Sequence, residues 1–290
     1  MPQTQNIIGL VYDFDKTLSP NSMQEDTVLP YLGLEPAKFW AETDRMVTED
    51  SYEAELAWMH QLLEVEAFRK LSNHDLRNMG LSLKYYPGVP EIFRQLEAVL
   101  DRPVYKEYGV TIEHYIITSG LREIVEGSNL RPYVKSIFGS EIAEDSTGKL
   151  GFPKRAISHT QKTQYLFRIN KGYLDLQTDV NDHVPREDHR IPFPNMVYIG
   201  DGPTDVPCFA VMSQQEGHTL AVYDPADVNS FAKCMQLRKA KRVEEIAEAN
   251  YQKGTHLWRL LEYVITEIAD GIVQRRRTSQ EASVIAAPGH

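Results

Sequence analysis

Apolar residues fall into two kinds of pattern along this chain. Continuous runs, the mark of strands buried on both faces of a parallel sheet, occur at Ile7-Ile8 with Leu10-Val11, at Tyr115-Ile116-Ile117 and at Met196-Val197-Tyr198-Ile199. Further strands are predicted at 137–142 and at 219–223, the latter as the last strand. Helical spacing marks other segments. Leu56, Met59 and Leu63 recur along 51–63, and helix-like stretches are predicted at 36–43 and 64–71. Ile92, Phe93, Leu96, Val99 and Leu100 share one face of a helix starting near Val89. From His256 to Arg277, Leu257, Leu260, Leu261, Val264, Ile265, Ile268 and Ile272 define another, expected to pack on the core rather than to form a dimer seam. Strands alternating with helices predict a doubly wound, Rossmann-like parallel α/β sheet with its site at the carboxyl ends of the strands.

Three of the runs end in chemistry. Val11-Tyr12 leads into Asp13-Phe14-Asp15, and in extended backbone residues two apart point to one side, so Asp13 and Asp15 converge. Two adjacent carboxylates repel unless a cation or proton lies between them. The second run ends in Thr118-Ser119-Gly120, which can cap a helix over 121–125 or bind an anion. The third ends in Gly200-Asp201-Gly202-Pro203-Thr204-Asp205, where glycine lets the backbone approach a site closely and Asp205 suits a helix first turn. Lys162 opens a helical stretch between them, with Lys149, Lys154 and Lys171 as rivals.

These four motifs, in this order, resemble the haloacid dehalogenase-like superfamily of aspartate-nucleophile hydrolases, over about residues 7–225. The resemblance implies Asp13 as nucleophile, Asp15 as general acid and base, and Thr118 and Lys162 as phosphate-binding catalytic groups. Ser119 competes with Thr118 for the hydroxyl role, and Gly120 would offer a backbone N–H. It also implies Mg2+ held by Asp13, the backbone carbonyl of Asp15 and Asp201, with Asp205 holding a water or Lys162. A mostly helical insertion over 20–85 matches the cap of phosphoserine-phosphatase-like members, with Tyr86-Pro87-Gly88 as a hinge. The expected organisation is a core of 1–19 and 86–277, a cap of 20–85 and a disordered tail over 278–290. Gln24, Glu25 and Asp26, just past the nucleophile, are candidates for contact with the leaving group.

The implied activity is a magnesium-dependent phosphomonoesterase working on a small phosphorylated metabolite. A phosphonate hydrolase, a phosphotransferase or a binding module that keeps the fold without turnover are the competing readings. Composition fits an enzyme of this kind: 290 residues, 42% hydrophobic, suffice for a sizeable core with a smaller inserted domain. A formal net charge of −10 argues against a nucleic-acid partner. No apolar run reaches membrane-spanning length, and the N-terminus lacks the pattern of a signal peptide. Two cysteines, Cys208 and Cys234, lack metal-ligand spacing and are expected to be reduced, pointing to the cytoplasm. A monomer or homodimer is expected. The segment 170–195, rich in charge and turn residues, reads as an irregular excursion. Arg275-Arg276-Arg277 reads as complementing a helix's carbonyl end.

Overall fold

The computed structural model describes residues 4–285, with side chains through Ser279. Seven strands, β1 (Ile7–Tyr12), β2 (Thr111–Leu121), β3 (Ser136–Glu144), β4 (Leu150–Arg155), β5 (Met196–Gly200), β6 (His218–Tyr223) and β7 (Glu245–Glu248), form one sheet in the order β4-β3-β2-β1-β5-β6-β7. Every pairing is parallel except the edge hairpin of β3 and β4. The fold is the α/β class that the sequence predicts. β7 is an addition, because its four residues, Glu-Ile-Ala-Glu, carry no strand-like run.

Thirteen α-helices accompany the sheet among the described residues. Six lie between β1 and β2 ahead of the amphipathic one: α1 (Met23–Asp26), α2 (Val28–Leu32), α3 (Pro36–Glu49), α4 (Ala54–Glu64), α5 (Glu66–Arg69) and α6 (Asn73–Met79). They make up the helical insertion. The rest are α7 (Glu91–Glu97), α8 (Pro103–Glu107), α9 (Arg122–Glu126), α10 (Lys162–Lys171), α11 (Val206–Gln214), α12 (Val228–Lys239) and α13 (His256–Ile285).

β1 lies at the centre of the sheet and is buried on both faces, which explains its unbroken apolar run. Ile8, Leu10 and Tyr12 pack into a core shared with Ile92, Phe93, Ile116 and Leu261. Val11 points the other way, toward Tyr115, Ile117, Tyr198 and Phe209. The first core runs without a break into the insertion through Phe14, Met23, Leu29, Trp58 and Leu76.

Several local expectations change. The strand expected to stop before Thr118 continues to Leu121, with its register shifting between Ile117 and Leu121. In α4 the buried side holds Glu55, Trp58, Met59 and Leu62, while Leu56 is exposed, so the spacing of 56, 59 and 63 does not mark the packed face. α13 continues to Ile285, so the tail expected from 278 is helical as far as that residue; 286–290 lie outside the described residues. Arg275–Arg277 are consequently not at that helix's carbonyl end. Arg275 Nη2 donates to Asn195 Oδ1 at 2.7 Å, and Arg277 lies over the Tyr108 ring.

The excursion after α10 carries only two single-turn 3-10 helices, Arg186–Asp188 and Phe193–Asn195. Cations of α10 hold its carbonyls: Arg168 donates to Asp175 and Thr178, and Lys171 to Val180 and Asp182. The segment 86–88 is fastened at both ends. Tyr86 N donates to the Leu18 carbonyl at 3.0 Å, and Tyr251 N to that of Pro87 at 2.7 Å. At Gly88, with φ of +89°, an added Cβ would lie 2.3 Å from the Tyr251 backbone, so this crossing requires glycine.

Leu261 is fully buried on α13, whereas Tyr263 on the same helix is exposed. Leu261→Ala is expected to cost about 2–5 kcal/mol and Tyr263→Ala less than about 0.5 kcal/mol in a denaturant titration. Similar losses at both positions would mean that the outer face of α13 is also covered.

Candidate active site

The carboxyl ends of β1, β2 and β5 bring three of the four motifs together, and α10 delivers the fourth. β1 is the switch point of the sheet, with chain connections leaving to opposite sides of it. Asp13 follows β1 directly, and its backbone N–H donates to the Ile199 carbonyl at 2.9 Å, tying the turn to β5. Phe14 turns inward to the core, and Asp15 emerges beside Asp13.

Lys162 lies at the centre. Its side chain is about 1% exposed, and Nζ is 2.9 Å from Asp13 Oδ1 and 2.9 Å from Asp205 Oδ1. Burial alone would push this ammonium down, but Asp13 and Asp205 together hold it above the usual lysine range. Of the rivals, Lys154 is exposed and pairs with Glu141 at 2.9 Å, and Lys171 is occupied by the excursion. The structure therefore places Lys162, and neither of these two, against Asp13.

Asp205 is more than a first-turn acid. Oδ1 accepts from Lys162 Nζ and from the Tyr198 hydroxyl (2.9 and 2.7 Å), and Oδ2 from the backbone of Asp201 and Gly202 (3.1 and 3.4 Å). Both oxygens are engaged twice. A Cβ at Gly200 would lie 2.3 Å from Asp205 Oδ2, so glycine there is a condition of this packing. Asp201 sits above the usual carboxylate range, through burial first and then the charges of Asp205 and Asp13. Oxygens of Asp13, Asp201 and Asp205 all lie within 4.8 Å of one another. That all-oxygen set fits a hard divalent cation. The side chain of Asp15 stands outside it.

Burial raises the Asp13 carboxyl to about 7 despite Lys162. It also raises Asp15 to about 7, with the Asp13 charge adding to the effect. Asp15 Oδ1 accepts from Met23 N at 2.7 Å, which fixes it against α1. Thr118 is fully buried, and its Oγ1 accepts from Gly120 N at 3.0 Å. Ser119 Oγ is buried with no hydrogen-bond partner among the described residues. Neither hydroxyl caps α9, whose flanking residue is Leu121.

Among the leaving-group candidates, Gln24 is buried with an unpartnered Oε1. Glu25 accepts from Trp40 Nε1 at 2.6 Å. Asp26 is tied to Asn21 and to the backbone of Lys84. Sequence reasoning missed two tyrosines. Tyr198 could have been noticed as the residue two before Gly200 on a motif strand. Tyr251, whose hydroxyl donates to the Thr17 carbonyl at 2.8 Å, comes from 234 residues away with no local signal.

Comparisons place this fold among known proteins. No family model matches the chain. An uncharacterized protein of Borreliella burgdorferi is 31% identical over 284 residues, spanning 89% of this chain and 96% of that protein, and the two belong to one family. Among solved structures, a phosphoserine phosphatase captured as a phospho-aspartyl intermediate analogue superposes with a TM-score of 0.53 at 15% identity, covering 89% of this chain and 99% of that one. This chain has the haloacid dehalogenase-like fold. A haloacid dehalogenase-family hydrolase from Salmonella enterica serovar Typhi matches with a TM-score of 0.54 at 15% identity, over 85% of this chain and 68% of that one. A probable phosphoserine phosphatase from Vibrio cholerae gives 0.56 at 14% identity, over 95% and 68%. Phosphoserine phosphatases are thus among the solved structures that share this fold, which in this chain carries a helical insertion after the first strand.

Lys162→Met leaves two buried carboxylates without their cation, a change expected to cost about 3–5 kcal/mol. In the metal-free protein the folded form already binds protons more tightly at Asp13 and Asp15 than the unfolded chain does. Stability therefore falls as pH rises from about 4 through about 7. In Lys162→Met that fall should be steeper, read as denaturant midpoints at pH 5 and 8. A parallel pH dependence in the two proteins would contradict the assigned coupling.

Proposed function

We propose that this protein is a magnesium-dependent phosphomonoesterase that works through an aspartyl-phosphate on Asp13. The observation that carries this reading is the fully buried ammonium of Lys162 between Asp13 and Asp205. A buried charge triad is a poor stabiliser compared with apolar packing, so its presence calls for a chemical use. An anion such as a phosphoryl group, approaching a carboxylate nucleophile, needs that positive charge in place beforehand.

Asp13 attacks phosphorus and the bond to the ester oxygen breaks. Asp15, with its carboxyl raised to about 7, donates its proton to that oxygen and later takes one from the attacking water. Lys162 balances charge on Asp13 and on the phosphoryl oxygens. Thr118 or Ser119, with a backbone N–H nearby, would hold another phosphoryl oxygen. Asp13 and Asp201, with the Asp15 carbonyl, would bind Mg2+, while Asp205, saturated by four donors, orients Lys162 and the Asp201 turn. When bound, the cation offsets repulsion between the carboxylates and the phosphate.

The helical insertion over about 20–85 would act as a cap that excludes bulk water. No helix among the described residues is long and apolar enough to cross a membrane. Both cysteines are buried and unbridged, which supports a reducing compartment such as the cytoplasm.

Hydrolysis of an aryl phosphate should require Mg2+, and Asp13→Asn should lower it on the order of a thousandfold or more while the thermal melt is kept. Substantial turnover by folded Asp13→Asn would remove the assigned nucleophile. Asp15→Asn should depress alkyl phosphates far more than aryl phosphates with acidic leaving groups. Equal dependence on leaving-group acidity in mutant and parent would exclude the acid role.

A further inference from the structure

Beside Asp201 a cavity of about 260 Å³ lies between the turn after β1 and α12, with Lys16, Asn21, Glu25, Tyr86, Asp224 and Lys233 in its walls. It adjoins the carboxylate cluster, which a roomier cavity of about 730 Å³ between α3 and α4 does not. Three features characterise its walls. Tyr86 is only 6% exposed, and its hydroxyl lies against the Asp224 carboxylate, short of a well-formed hydrogen bond. Lys16 is held in left-handed backbone with φ of 59°, a conformation unusual for a lysine. Neither Lys16 nor Lys233 belongs to an ion pair formed among the described residues.

The signs in this wall are mixed. Glu25, Asp201, Asp224 and Asp227 face two ammonium groups, so a strongly anionic or cationic leaving group meets repulsion as well as attraction. Glu25 and Asp224 each have one oxygen bound within the protein, to Trp40 and to Ala226 N, and retain the other. Hydroxyl groups answer every part of such a wall, because each donates to a carboxylate and accepts from an ammonium or a phenol. Apolar or aryl groups would bury these atoms unpaired.

We propose that this cavity receives the leaving group and that the leaving group is a small neutral polyol, making the substrate a monophosphate ester of a short sugar or sugar alcohol. The assignment rests on the phosphatase reading above. The ester oxygen takes the Asp15 proton and departs as one hydroxyl of the polyol, whose remaining hydroxyls pair with Tyr86, Lys233, Glu25 and Asp224.

The test compares glycerol 3-phosphate with propyl phosphate, which share a three-carbon ester and differ in hydroxyls, alongside phosphoserine, choline phosphate, a nucleoside monophosphate and an aryl phosphate. Glycerol phosphate should exceed propyl phosphate in kcat/KM by about a hundredfold. Lys233→Met, at an exposed position, and Tyr86→Phe should each narrow that ratio about tenfold, mainly through KM, with melting curves to verify folding. A ratio near one, a ratio unmoved in folded Lys233→Met, or a preference for phosphoserine, choline phosphate or the nucleotide would overturn the polyol assignment while aryl phosphate hydrolysis upheld the phosphatase reading. Failure to hydrolyse any ester, the aryl phosphate included, would overturn both.

Discussion

One buried ammonium organises the site. Lys162 Nζ is shared between Asp13 at the end of β1 and Asp205 beyond β5, so the two central strands and α10 meet at a single charge. Removing water from three charged groups costs several kcal/mol per ion, and mutual attraction recovers that only in a well-satisfied arrangement. The structure supplies the satisfaction. Tyr198 and two backbone N–H groups complete the shell of Asp205, and Phe14 N donates to Asp13. Gly200 is the backbone condition for it, because any side chain there would occupy the place of the Asp205 carboxylate.

From that centre the division of labour follows. Both Asp205 oxygens are engaged by donors within the protein, so in the proposed reaction it would serve as a scaffold while Asp13 and Asp201 meet the cation and the phosphate. Asp15 is set apart from the triad by its bond from Met23, the first residue of α1. In the proposed mechanism, proton transfer at Asp15 and the start of the helical insertion would thus be joined through one hydrogen bond. The sheet contributes the opposite quality: β1 is immobilised by apolar packing on both faces, and rigidity at its end fixes Asp13, the proposed nucleophile.

Much of this was legible because buried strands advertise themselves. The unbroken runs ending at Tyr12, Ile117 and Ile199 mark central strands, and the polar residues just beyond them mark the site. Lys162 was legible only through its order among the motifs, since a single lysine has no pattern of its own. What escaped reading depends on contacts between distant segments. β7 is too short and too polar to show a run, yet it completes the sheet by pairing with β6. The packed face of α4 is set by tertiary packing that buries Trp58, Met59 and Leu62 rather than by the simple spacing of 56, 59 and 63, so Leu56 is exposed. Tyr251 supports the loop after Asp15 across nearly the whole chain, a relation no local window contains. The length of α13 was misjudged because small and polar residues after 277 looked like a terminus, although alanine and glutamate propagate a helix well.

The central claim is that Asp13 carries the phosphoryl group between two chemical steps. Rapid acid quenching of the enzyme during turnover of a radiolabelled phosphate ester, followed by proteolysis and mass spectrometry, tests it directly. The account predicts label on the peptide that contains Asp13, appearing at the rate of the first step and absent from Asp13→Asn. Turnover with no protein-bound label at any quench time, or label on a different side chain, would contradict it.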